Sequence, residues 1–171
     1  MKKIAIILSV LLMGLAGFAQ AADLSVPVNL TIPSINVDAL INPMGLTKNG
    51  AMEAPTDAKS VGWFKFGPNP GDVGTAVIDG HYGRWKNGNT SVFDNLNKLK
   101  AGDKLYVKNK QGASVAFVVR QLLTYDKDAD AADVFTSDDQ GSHLNIIACA
   151  GVYSKILKTY SNRLVVFADR E

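Results

Sequence analysis

Apolar and polar residues alternate with a period of two over much of this chain, the pattern of strands that bury one face. Residues 28–32 (VNLTI) alternate in this way, and residues 35–41 resume the alternation after a break at Pro33-Ser34. Residues 74–81 (GTAVIDGH) read as a strand entered through the turn cluster Pro68-Asn69-Pro70-Gly71. Residues 104–109 (KLYVKN) and 114–125 (SVAFVVRQLLTY) flank Lys110-Gln111-Gly112, a short hairpin connection. Residues 143–148 form a nearly continuous apolar strand, and residues 164–168 form another. Helix is scarce. Ser91 is placed to cap a short helix with Val92, Phe93, Leu96 and Leu99 on one face and a stop at Gly102. Seven to eight short strands between glycine and proline turns predict a mainly β domain. Closing the sheet removes its edges, so the expected form is an antiparallel or mixed β-barrel with one or two short helices.

Composition narrows the class. The chain has 171 residues, 47% of them hydrophobic and 20% charged, enough for one domain with a real core. Its formal charge is +2, and Lys2 and Lys3 supply all of it. A balance so close to neutral argues against nucleic acid as a partner and confines expected membrane contact to the N-terminal segment. There, the two lysines precede an apolar run over residues 4–18, followed by the small-x-small pattern Ala19-Gln20-Ala21. As a helix this run rises about 22 Å, short of a hydrocarbon core of roughly 30 Å. Residues 1–21 therefore read as a cleaved signal peptide, or as an anchor if the apolar run extends through Ala22. Both readings export the remainder of the chain. The expected division is 1–21 signal or anchor, 22–29 short linker, and 30–171 the folded domain.

Export sharpens the meaning of the single cysteine. One cysteine cannot form an internal disulfide, so Cys149 is a free thiol in an oxidising setting. It is either a small buried hydrophobe or a nucleophile. Its place at the end of an apolar strand, before Ala150-Gly151, suits a nucleophile held on a rigid element. A thiol is only slightly ionised near neutrality, so such a site needs a base or a positive neighbour. His143 lies six residues upstream, roughly 20 Å along an extended chain and out of reach. His81, between Gly80 and Tyr82 at another strand end, is the remaining histidine, the alternative being a solvated loop residue. Arg163 leads into residues 164–168, where its fixed donors can face a carbonyl on which negative charge develops, or else make an ordinary surface ion pair.

Together these segments resemble the sortase family. The likeness runs from about Thr31 to Ala168. It includes TIPSINVDALI, GWF, AVIDGHY, VFDNLNKLKAGDKLYV, LNIIAC and RLVVFA. The family carries a histidine, a cysteine and then an arginine at the His81, Cys149 and Arg163 positions. One departure is plain: the family's Thr-Leu-x-Thr-Cys is here Asn145-Ile146-Ile147-Ala148-Cys149, without either threonine. The short chain and the AVIDGHY segment look most like the small class D, E or F sortases. The resemblance implies a cysteine transpeptidase. Cys149 would attack a Leu-Pro-x-Thr-Gly-like sorting motif to form a thioacyl enzyme, with His81 as proton donor and acceptor. Arg163 would stabilise the oxyanion or the substrate backbone. The implied partners are exported proteins with a C-terminal sorting signal and an amine acceptor such as a peptidoglycan precursor.

No cofactor is required by this chemistry. Asp126, Asp128 and Asp130 have the spacing of a calcium loop, but Ala131 stands at the usual glycine and Ser137 at the usual glutamate, so a solvated acidic loop is the plainer reading. Trp63 and Trp85 read as core or groove wall. Two other functions compete. An exported L,D-transpeptidase also uses one cysteine, but resembles Ser-His-Gly-Cys where this chain has Ile-Ala-Cys. A non-catalytic surface β-barrel module would keep Cys149 buried and inert.

Overall fold

The computed structural model describes residues 26–85 and 88–171. Among the described residues there are eight strands: β1 (Pro27–Ile32), β2 (Val37–Met44), β3 (Val61–Phe64), β4 (Gly74–Gly80), β5 (Lys104–Asn109), β6 (Ser114–Asp126), β7 (Ser142–Ser154) and β8 (Thr159–Arg170). They close into one barrel in the order β1-β2-β3-β4-β7-β8-β6-β5, with β5 pairing back onto β1. The pairs β2–β3 and β4–β7 are parallel and the others antiparallel, so the barrel is mixed. The expected signal or anchor over residues 1–21 lies outside the described residues.

Alternation puts every second side chain inside. On β7, Leu144, Ile146 and Ala148 join the core, as do Leu164, Val166 and Ala168 of β8 and Ala76 and Ile78 of β4. The intervening residues face out. Over β7 and β8 they make a second, smaller apolar cluster, in which Val165, Phe167 and Ile147 meet Val134 of the β6–β7 connection.

Several elements differ from expectation. The helix capped by Ser91 does not form. Phe93, Leu96 and Leu99 are buried as the pattern requires, but the only helical turn there is the three-residue 3-10 segment Leu96–Lys98, and the Ser91 hydroxyl donates instead to the Gly83 carbonyl at 2.5 Å. Burial of three anchors, not helix propensity, orders this segment. Among the described residues the other helical turns are 3-10 segments, Pro33–Ile35 and Ala132–Val134. Strand β3 lacks a long alternating signature and was not expected. Strand β1 begins at Pro27, inside the stretch expected as linker. Strands β7 and β8 run much further than their apolar stretches, forming one long hairpin with a register shift between Ala150 and Tyr153. Cys149 and Arg163 therefore lie within strands, not at strand ends.

Candidate active site

The site is built where β4 stops and the β7–β8 hairpin continues. The last β4–β7 partners are Gly80 and Ala148, so His81 leaves the sheet at the level of Cys149. Cys149 is paired directly with Arg163 on β8, and Arg163 with Tyr125 on β6. Three residues distant in sequence thus form one row across the outer face of the barrel wall. His81, Cys149 and Arg163 all line one groove of about 880 Å³. The groove runs between the β2–β3 connection, with Leu46, Met52 and Ala54, and the β6–β7 connection, with Ala131, Val134 and Phe135. Its size and largely apolar walls suit a short peptide whose backbone is gripped by a few polar groups.

Cys149 is half-buried and free. Burial pushes its thiol pKa up; the Arg163 charge pulls it down, and Asp79 pushes it up. Arg163 is held by its own strand: Nη1 donates to the carbonyls of Tyr160 at 3.2 Å and Asn162 at 2.9 Å, and Nη2 to the Thr159 hydroxyl at 3.3 Å. A guanidinium so fixed presents its charge to the sulfur without reorganising. The His81 Nε2 lies 2.6 Å from the Pro55 carbonyl. A carbonyl only accepts, so Nε2 carries a proton, and Nδ1 is the basic nitrogen of the neutral ring. Trp85 packs on the imidazole, with ring centroids 4.5 Å apart.

One residue of the groove was missed. Asp79 lies on the same face as His81, one row behind Cys149 and paired with Ile147. Its Oδ1 is buried without a hydrogen-bond partner. It sits against Gly62, where even a methyl group would collide with the carboxylate and Met44. Burial raises its pKa to about 7. The only sequence signal was a carboxylate inside an otherwise apolar strand, AVIDG.

The other singled-out residues lie elsewhere. His143 is clamped outside the groove, its Nδ1 2.8 Å from Asp169 and its Nε2 2.7 Å from Asp139. Asp126 accepts from the Asp128 amide at 3.0 Å, Asp128 pairs with Lys127, and Asp130 accepts from the Ala132 amide at 3.1 Å. These carboxylates serve the turns of their own loop, and among the described residues no three acids, histidines or cysteines gather as a metal cage. Trp63 is buried and donates to the Pro68 carbonyl at 3.1 Å.

With this geometry in place, comparison with known proteins gives the family. Residues 30–171 match the family model described as Sortase domain, and the chain belongs to the sortase family of cysteine transpeptidases. The L,D-transpeptidase reading is thereby set aside. No curated protein sequence matches the chain. Among solved structures it is similar to sortase C-1 from Actinomyces oris, at 25% identity and a TM-score of 0.64, covering 85% of this chain and 75% of that one. It is also similar to a lid mutant of sortase A from Corynebacterium diphtheriae, at 23% identity and a TM-score of 0.66, covering 85% and 70%. A third likeness is to a lid mutant of Streptococcus agalactiae sortase C1, at 22% identity and a TM-score of 0.63, covering 87% and 70%. The last two bear on the fold alone.

Proposed function

We propose that this chain is an exported, small sortase, of the class D, E or F kind, that cleaves a Leu-Pro-x-Thr-Gly-like sorting motif of other exported proteins and passes the acyl group to an amine of the cell envelope. The observation that carries the reading is the row His81–Cys149–Arg163 along one groove, created by the parallel pairing of β4 with β7.

Cys149 passes its proton to Nδ1 of His81, and its sulfur adds to the scissile carbonyl carbon. The carbonyl oxygen takes the negative charge, and the Arg163 guanidinium offsets it. His81 protonates the leaving amine as the C–N bond breaks, and a thioester remains. The acceptor amine then attacks the thioester, His81 takes its proton, and the Cys149 thiolate leaves as a new amide forms. When no amine arrives, water takes the same place and the outcome is hydrolysis. Every step draws on side chains alone. Calcium binding by the Asp126–Asp128–Asp130 loop would show as a response of the rate to added calcium; a flat response removes it.

The test is a sorting-peptide cleavage assay with mass spectrometry of the enzyme. The wild type should accumulate a thioacyl adduct on Cys149, and Cys149→Ala none. Arg163→Ala should cost about 10²–10³ in rate, as loss of an oxyanion donor does. Full turnover by Cys149→Ala removes the assignment, and a wild type that neither cleaves the peptide nor forms an adduct leaves the non-catalytic module as the surviving reading.

A further inference from the structure

The β7–β8 hairpin ends in a turn of unusual chemistry. Its closing pair is Ser154 with Thr159, and the four residues between are Lys155-Ile156-Leu157-Lys158. Tight turns are normally built from glycine, asparagine, aspartate or serine, which tolerate water and positive φ. Here Lys158 takes the left-handed conformation, at φ 52°, and the tip residues are aliphatic. Ile156 is 92% exposed and Leu157 63%; on the flank, Val152 is 77% and Tyr153 48% exposed. The turn is nonetheless ordered locally, since the Leu157 amide donates to the Ser154 hydroxyl at 3.2 Å. Tyr153 stacks edge-on against Tyr160 across the hairpin, with centroids 5.1 Å apart. A contiguous aliphatic tip on a rigid stem is a contact surface, since nothing in the fold of the described residues requires it to face water.

Charge selects the occupant. Between Asp139 and Asp169 the chain has no aspartate or glutamate at all, while Lys155, Lys158 and Arg163 are cationic. Lysines flanking an aliphatic tip, with a tyrosine ring above it, match the layers of an anionic lipid surface: headgroup phosphates at the lysines, acyl chains below, and the amphipathic ring at the boundary. We infer that the tip of the β7–β8 hairpin, through Ile156 and Leu157 with Lys155 and Lys158, is a docking element for an anionic membrane surface. This is a membrane contact additional to the N-terminal segment. Ile156 lies seven positions beyond Cys149 along the hairpin, so docking holds the sulfur about 20 Å above the tip. The inference does not rest on the transpeptidase reading.

The test follows hydrogen exchange in the full chain, because the apolar N-terminal run can enter lipid by itself and only a local readout is informative. Exchange at residues 152–160 should slow severalfold with vesicles of phosphatidylcholine and phosphatidylglycerol at 7:3, and much less with phosphatidylcholine alone. Ile156→Ser with Leu157→Ser should abolish the protection while leaving the far-ultraviolet circular dichroism unchanged. Lys155→Gln and Lys158→Gln should each weaken it by roughly fivefold, and 0.5 M salt should do likewise. Unchanged exchange with anionic vesicles overturns the inference, as does protection that survives the serine pair or is equal on uncharged lipid. Protection by a sorting-motif protein but not by vesicles makes the tip a protein contact and overturns it equally. None of these outcomes bears on thioacyl formation, so failure here and failure of the proposed function are separable.

Discussion

Asp79 and Arg163 act on the same sulfur with opposite sign. Arg163 lowers the Cys149 thiol pKa, whereas Asp79 raises it, and Asp79 carries its charge only once deprotonated. With its own pKa lifted by burial to about 7, Asp79 is neutral on the acid side of neutrality and ionised on the alkaline side. The thiol is thus easiest to ionise, relative to its surroundings, while Asp79 still holds its proton. Alkylation of Cys149 should report this directly. In Asp79→Asn the rate below about pH 6 should equal that of the wild type, and above pH 7 it should exceed it severalfold. Parallel profiles across the whole range would show that Asp79 does not reach the sulfur electrostatically.

At the scale of elements, the β6–β7 connection forms one wall of the groove and is fastened to the barrel at several points. Val134 packs on Val165 and Phe167, and Asn145 Nδ2 donates to the Val134 carbonyl at 2.8 Å. The Tyr125 hydroxyl, its pKa pushed up to about 12 by burial and by Asp133, donates to that carboxylate at 2.5 Å. His143 ties Asp139 of the connection to Asp169 of β8. Burial alone would lower the imidazole pKa, but the two carboxylates outweigh it and raise the pKa. A raised histidine pKa means that this clamp is fully present below the unfolded value near 6.5 and is lost as pH rises through the folded value. Proteolytic nicking within residues 135–141 should therefore speed up on the alkaline side in the wild type. In His143→Gln it should be fast and independent of pH; a pH-dependent rate in that variant sinks the clamp. This element also marks what the sequence conceals. Spacing along one strand removed His143 as a partner for Cys149. Its real partners come from a loop and from the far end of β8, and no local pattern announces them. Strand β3 was hidden because four residues, three of them buried and one a glycine, carry too short an alternation to recognise.

For the whole molecule, barrel closure brings residues 81, 149 and 163 together. Their residue types and approximate strand positions were readable in the sequence, and the fold class with them. Their row was not, because the β4–β7 pairing is parallel and long-range, with register fixed by the pleat and the core rather than by any turn. What sets that register at the site is a packed plug. Gly80, the last residue of β4, faces inward against Phe93, and a β-carbon there would overlap the Phe93 ring and press on Val92. Phe93 is fully buried, and its amide donates to the His81 carbonyl at 3.0 Å, so the plug and the candidate base are joined through one short segment. Gly80→Ala should overpack this point and cost about 1–3 kcal/mol in urea denaturation. Phe93→Leu should cost on the order of 1 kcal/mol by leaving space. Combined, the added methyl fills what the lost ring vacates, so the double variant should be more stable than the sum of the two predicts, by about 1 kcal/mol or more. Strict additivity would mean that the two residues relax independently, and that the end of β4, with His81 beyond it, is positioned by something other than this contact.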